Sequence, residues 1–143
     1  MMDFERPDYQ IIDHTADLGI IVKGADLKDL FIRAAYAMMD LMVEGDIGEK
    51  GVRRELAIQG DDLPDLMVRW LGEVLYLFEA ENLLVAKIEI TSLSERRLES
   101  ALTLVHFRRG HHQITREIKA VTYHQISVER KDGGWEARVI FDI

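Results

Sequence analysis

Apolar side chains recur at helical spacing in two places. From Asp26, the positions Leu27, Leu30, Phe31, Ala34, Met38 and Leu41 draw one stripe along a helix. Asp26 is a good N-cap, and the stripe fades at Val43-Glu44-Gly45, where glycine allows termination. A second helix is announced by Asp61-Asp62-Leu63-Pro64, with acids and a proline at its entrance. Its stripe, Leu66, Met67, Trp70, Leu71, Val74, Leu77 and Phe78, is broader, which predicts the more buried helix of the two.

The remainder reads as strands. Tyr9–Asp13 and Leu18–Val22 are short apolar runs around the turn-like His14-Thr15-Ala16-Asp17. Val52, Leu56 and Ile58 mark a strand between the helices, and Leu84–Ile90 and Leu98–Phe107 follow the second helix. Val121–Glu129 and Trp135–Ile143 flank Lys131-Asp132-Gly133-Gly134, an Asp-Gly hairpin signal. No linker, repeat or low-complexity segment stands out. Helices at two places among many strands, without regular alternation, predict a single α+β domain of mainly antiparallel sheet with two helices packed on it.

Composition narrows the function. The 143 residues suit one domain with a real core. The absence of cysteine excludes disulfides and thiolate zinc sites and fits a reducing compartment. The opening Met1-Met2-Asp3-Phe4-Glu5-Arg6-Pro7 lacks the basic and apolar regions of a secretory signal, and no apolar run is long enough to span a bilayer. A cytoplasmic protein without membrane contact is expected. The formal charge of −8 repels a phosphate backbone, so strong nucleic-acid binding by the chain alone is not expected. Arg53-Arg54, Arg96-Arg97 and Arg108-Arg109 are scattered and lack interleaved aromatics, so they read as solvated faces. A basic protein partner or a metal suits the chain better.

Much of the chemistry is defined by absence. There is no dinucleotide fingerprint, Walker loop, H-E-x-x-H helix or G-x-S-x-G elbow, and the four serines sit in no catalytic motif. Two polar clusters remain. Asp13-His14-Thr15-Ala16-Asp17 is either a hydrogen-bonded turn or a place where carboxylates aim at a hard cation. Asp142-Ile143 is either a solvated chain end or a second source of oxygen ligands. A hairpin ending at Asp142 that lay beside the first strand would bring the two clusters together. His111 and His112 read as a solvent-exposed loop, and His124 as a strand residue.

Taken together, Asp13-His14-Thr15-Ala16-Asp17-Leu18-Gly19, Glu117-Ile118-Lys119-Ala120-Val121-Thr122-Tyr123-His124, Gly134-Trp135-Glu136-Ala137-Arg138-Val139 and Asp142-Ile143 resemble the archease family. Gly60-Asp61-Asp62-Leu63 fits the same pattern, and the resemblance is weakest between Leu93 and Arg116. It implies a small acidic α+β protein, not itself an enzyme, that accompanies the tRNA-splicing RNA ligase. Such proteins promote guanylylation of that GTP- and metal-dependent ligase and sustain its turnover. The resemblance also implies a chaperone-like link to tRNA cytosine methyltransferases. Its metal site maps to Asp17, Asp142 and the backbone oxygens of Ile143, an all-oxygen set that suits Ca²⁺ or Mg²⁺, with His14 and Lys119 in partner or supporting roles. A small metallohydrolase using Asp17, Asp142 and His14, and a holdase for unfolded chains, are the rival classes.

Overall fold

Asp26 is extended (φ −140°, ψ −179°), and its carboxylate accepts the Asp29 amide at 2.8 Å. Asp29 reaches back to the Ala25 amide at 2.8 Å, so one orphan amide of the first turn and the amide just before the cap are satisfied reciprocally. At the second helix Asp62 accepts the Asp65 amide at 2.9 Å, and Asp65 accepts that of Asp61 at 2.8 Å. Each entrance is then braced by an arginine one turn on, Arg33 on Asp29 at 3.0 Å and Arg69 on Asp65 at 2.9 Å.

These entrances belong to a computed structural model that describes residues 8–13, 17–48 and 50–143, with the backbone alone at Asp13. In chain order the elements are β1 (Tyr9–Asp13), β2 (Asp17–Gly24), α1 (Leu27–Met42), β3 (Val43–Glu44), β4 (Val52–Gln59), α2 (Leu63–Glu81), β5 (Leu83–Leu93), β6 (Arg97–His106), β7 (Gln113–Ile114), β8 (Ala120–Val121), β9 (Ser127–Lys131) and β10 (Gly134–Asp142). One antiparallel sheet runs β1-β2-β10, with β9 and β8 sharing the far edge of β10; a second runs β4-β6-β5, and β3 pairs with β7. The expected α+β architecture of antiparallel sheets and two helices is therefore the one observed.

No repeat stands out along the sequence, yet the chain contains one. Gly24-Ala25-Asp26-Leu27-Lys28-Asp29-Leu30-Phe31-Ile32-Arg33 matches Gly60-Asp61-Asp62-Leu63-Pro64-Asp65-Leu66-Met67-Val68-Arg69 in chemical character at every position except Ala25/Asp61 and Lys28/Pro64. Both glycines perform one job. A Cβ on Gly24 would lie 2.5 Å from the Leu30 nitrogen, and one on Gly60 3.0 Å from the Leu66 nitrogen. The surrounding topology repeats as well. The segment β4-α2-β5-β6 orders its strands β4-β6-β5, and β2-α1 with β9 and β10 orders its strands β2-β10-β9. The second unit is thus inserted within the first, after α1. Separation by a whole inserted unit hides the duplication from a strand-by-strand reading.

Each helix contacts both sheets, and the two units share one core. The Trp70 indole donates to the Phe31 carbonyl at 2.9 Å, satisfying a buried polar atom across the helix pair. The broader stripe does not make α2 the more buried helix: α1 buries nine of its 16 residues and α2 eight of its 19. Ala34, Ala35 and Ala37 are fully buried, because their small side chains let α1 approach its neighbours closely, whereas α2 keeps Tyr76 in solvent.

Two other expectations are corrected. Val121–Glu129 is not one strand but β8 and β9 separated by a turn. Both the Thr122 amide and its hydroxyl donate to the Ile140 carbonyl, at 3.0 and 2.9 Å, and Gln125 takes a left-handed conformation (φ 52°). The terminal hairpin ends as expected beside an early strand, but that strand is β2 and not β1. Its turn is Asp132 (φ 51°) and Gly133 (φ 81°), the paired left-handed residues of a tight hairpin.

Candidate functional site

Asp17 opens β2 and Asp142 closes β10, and the antiparallel register sets them directly opposite each other. Their neighbours Leu18 and Phe141 point into the core, so alternation along each strand puts both aspartates on the outer face. Side chains paired in this way have Cβ atoms about 5 Å apart, and two like charges so placed destabilise the sheet. Among the described residues no cation pairs with either carboxylate. Two residues along the same face, Ile140 lies over Gly19, where a Cβ would come within 2.7 Å of the isoleucine Cδ1.

Ile143 follows Asp142 and is 38% exposed. The Lys119 amide donates to the Asp142 carbonyl at 2.7 Å, which pins the strand end, and the Lys119 ammonium stands in solvent. Asp17, Asp142, Ile143 and Lys119 thus gather at one end of the sheet. His14 lies outside the described residues, as does the rest of the 14–16 connection. Among the described residues no three His, Asp or Glu side chains converge as a metal-binding group. Two carboxylates with backbone oxygens beside them are a donor set that fits a hard cation and not a thiolate- or imidazole-seeking one.

A second polar cluster lies at the entrance of α2. The Tyr123 hydroxyl donates to Asp65 at 2.7 Å. That bond first, and the Asp61 amide next, hold the Asp65 carboxyl below the usual carboxylate range, while the same contact raises the Tyr123 phenol. Residues 114–126 therefore run along α2, from a groove they share with Phe78 near its end to Asp65 at its start. The Asp-x-x-Asp entrance was the available signal, since capping and Arg69 engage only one carboxylate oxygen of Asp65 and leave the other for Tyr123.

The histidines divide. His111 is exposed, as expected, but His112 is 8% exposed and buried, correcting the reading of that pair as solvent-facing. Its Nδ1 accepts the Arg108 amide at 2.9 Å, which leaves Nε2–H to donate to the Asp46 carbonyl at 3.0 Å. His124 is exposed in the turn after β8 rather than within a strand. Of the arginine pairs, Arg53, Arg54 and Arg97 face Glu89, Glu81 and Glu99 at 3.5, 2.8 and 3.7 Å. They are solvated strand faces, in agreement with the sequence.

The sequence pattern of the archease protein family matches residues 9–143. The chain belongs to the archease family. It is 34% identical to the archease of Methanosarcina acetivorans, covering 99% of this chain and all of that one, and 35% identical to that of Archaeoglobus fulgidus over 94% and 98%. The solution structure of protein 1598 from Methanobacterium thermoautotrophicum superposes with a TM-score of 0.78 at 30% identity, covering 94% of this chain and 98% of that one. A crystal structure from Thermotoga maritima, described as an archease and possible chaperone, shares the fold with a TM-score of 0.60 at 20% identity, over 92% and 94% of the two chains. No helix among the described residues of this archease is long and apolar enough to cross a membrane.

Proposed function

We propose that the chain is a non-catalytic accessory protein of a GTP-dependent tRNA-splicing RNA ligase, promoting guanylylation of the ligase and its repeated turnover. We further propose that Asp17, Asp142 and the backbone oxygens of Ile143 hold one divalent cation, Mg²⁺ or Ca²⁺. The observation that carries the metal reading is the register of β2 against β10, with Asp142 opposite Asp17 and, among the described residues, no cation paired with either. Membership of the archease family supports the ligase reading. A bound cation would supply charge neutralisation between two opposed carboxylates. The chain's own contribution is to hold them there: the β2–β10 ladder fixes their spacing, and Lys119 fixes the end of β10 through its amide. Lys119 is assigned to the partner-facing surface and His14 to support of the site.

A chaperone-like role toward tRNA cytosine methyltransferases is the second reading, favoured by the description of the Thermotoga maritima relative as a possible chaperone. General holdase activity is less well supported. Among the described residues the large exposed apolar side chains are few, Ile11, Val52, Tyr76, Ile114, Tyr123 and Ile143, whereas a holdase presents a large contiguous patch. A stand-alone metallohydrolase, which would draw on His14, has no observation among the described residues in its favour.

Affinity capture from native extract separates the two readings. The proposal predicts that the wild-type chain retains an RNA ligase and that Asp17→Ala retains less of it. Recovery of a tRNA methyltransferase with no ligase would favour the second.

A further inference from the structure

Between residues 46–48 and 50–52 and the end of β6 opens a groove of about 490 Å³, lined among others by Lys50, His106, Arg108 and His111. All four side chains are exposed, and none has an ion-pair partner among the described residues. Asp46 is the one acid on the described lining, and its carboxylate is turned to the Gly48 amide at 3.0 Å. Two cations and two imidazoles thus share one concavity on a chain of net charge −8. Val52 and Leu104, opposite each other in the β4–β6 ladder, contribute an apolar part of the lining.

The groove's place in the duplicated fold is informative. Counting back from the equivalent glycines, Asp17 stands seven residues before Gly24 as Arg53 stands seven before Gly60. Asp17 faces Asp142, and Arg53 faces Thr103. The groove therefore opens at the end of the second unit that corresponds to the carboxylate end of the first, with the charge reversed. Its walls are also held in place. Buried His112 joins the Arg108 amide on one wall to the Asp46 carbonyl on the other, so the backbone of the two walls needs less ordering when a ligand arrives.

We propose that this groove is an oxyanion site for phosphate groups, taking free phosphate or the phosphate of a nucleotide. A guanidinium offers phosphate a bidentate fork, an ammonium adds a point charge, and imidazole N–H groups can complete the shell. The site shares no residue with the Asp17–Asp142 cluster and does not depend on the ligase reading.

Amide chemical shifts of the full ¹⁵N-labelled chain test it, with inorganic phosphate, AMP, adenosine, and sodium chloride at matched ionic strength as probes. Phosphate and AMP are expected to shift Gly48, Lys50, Gly51 and His111 saturably, while adenosine and chloride leave them in place. Lys50→Ala and Arg108→Ala should each weaken binding about tenfold, the usual scale for losing one charge-assisted contact. Both side chains are exposed, so an otherwise unchanged spectrum will confirm that each variant folds. Tighter binding of AMP than of phosphate identifies a nucleotide ligand using the apolar wall; equal binding identifies the free anion. Shifts reproduced by chloride, shifts that never saturate, or a Lys50→Ala/Arg108→Ala double variant that titrates like wild type would overturn the proposal.

Discussion

Asp17 and Asp142 lie on an outer sheet face at the ends of their strands, so their mutual repulsion is a cost that the fold carries locally. That gives Asp17→Asn a sign that depends on the solution. In chelator the variant should be more stable than wild type by roughly 0.2–1 kcal/mol, because a like-charge pair is removed. In millimolar Ca²⁺ the order should reverse, since only wild type gains binding free energy on folding. Thermal unfolding in both buffers, with calorimetric titration for stoichiometry, reads this directly; the same order in both would dispose of the site. Tyr123 offers a second residue-level test. Asp65 titrates below the usual carboxylate range, chiefly through the Tyr123 hydroxyl. A depressed folded pKa stabilises the protein above the unfolded value and is lost as pH falls through the folded one. Tyr123→Phe should therefore cost about 0.5–1 kcal/mol at pH 7, a modest figure for an exposed contact. The deficit should shrink below about pH 4, where the unfolded carboxyl protonates. Urea unfolding at pH 7 and pH 3 checks it, and a pH-independent deficit would contradict the electrostatic account.

At the scale of elements, the two helix entrances are alike in sequence but not in tolerance. Gly24 leaves no room for a methyl group, with Leu30 nitrogen and Cα at 2.5 and 2.7 Å, whereas at Gly60 the nearest backbone atoms stand at 3.0 Å. Gly24→Ala should cost about 1–3 kcal/mol and Gly60→Ala less, as measured by denaturant unfolding. Equal effects would mean that the entrances relax alike. These elements also show what a sequence can disclose. Asp26, Asp62 and the apolar stripes act within one or two turns of chain, so both helices were legible, as was the Asp132-Gly133 hairpin. The break after Val121 was not, because it depends on Thr122 bonding to Ile140, 18 residues away. His112 was misread for the same reason, since its second partner, Asp46, is 66 residues distant. The carboxylate site was half legible: the residue types stood out, but their opposition depends on the β2–β10 register, which no local pattern fixes.

For the molecule as a whole, two like units share a core and present contrasting ends, one carrying Asp17 and Asp142, the other the basic groove. The inserted unit occupies the middle of the chain, so β2 and β10, early and late in sequence, close one sheet and bring the aspartates together. A protein organised in this way is suited to present a small charged site on a rigid sheet to a larger partner. The most direct measurement of that role is the time course of the labelled ligase–GMP adduct, using a cognate RNA ligase with sub-stoichiometric amounts of this chain. The account predicts faster adduct formation and many turnovers per ligase with wild type, and loss of stimulation with folded Asp17→Ala or Asp142→Ala. Identical adduct formation with wild type, with either variant and with no added chain would contradict it.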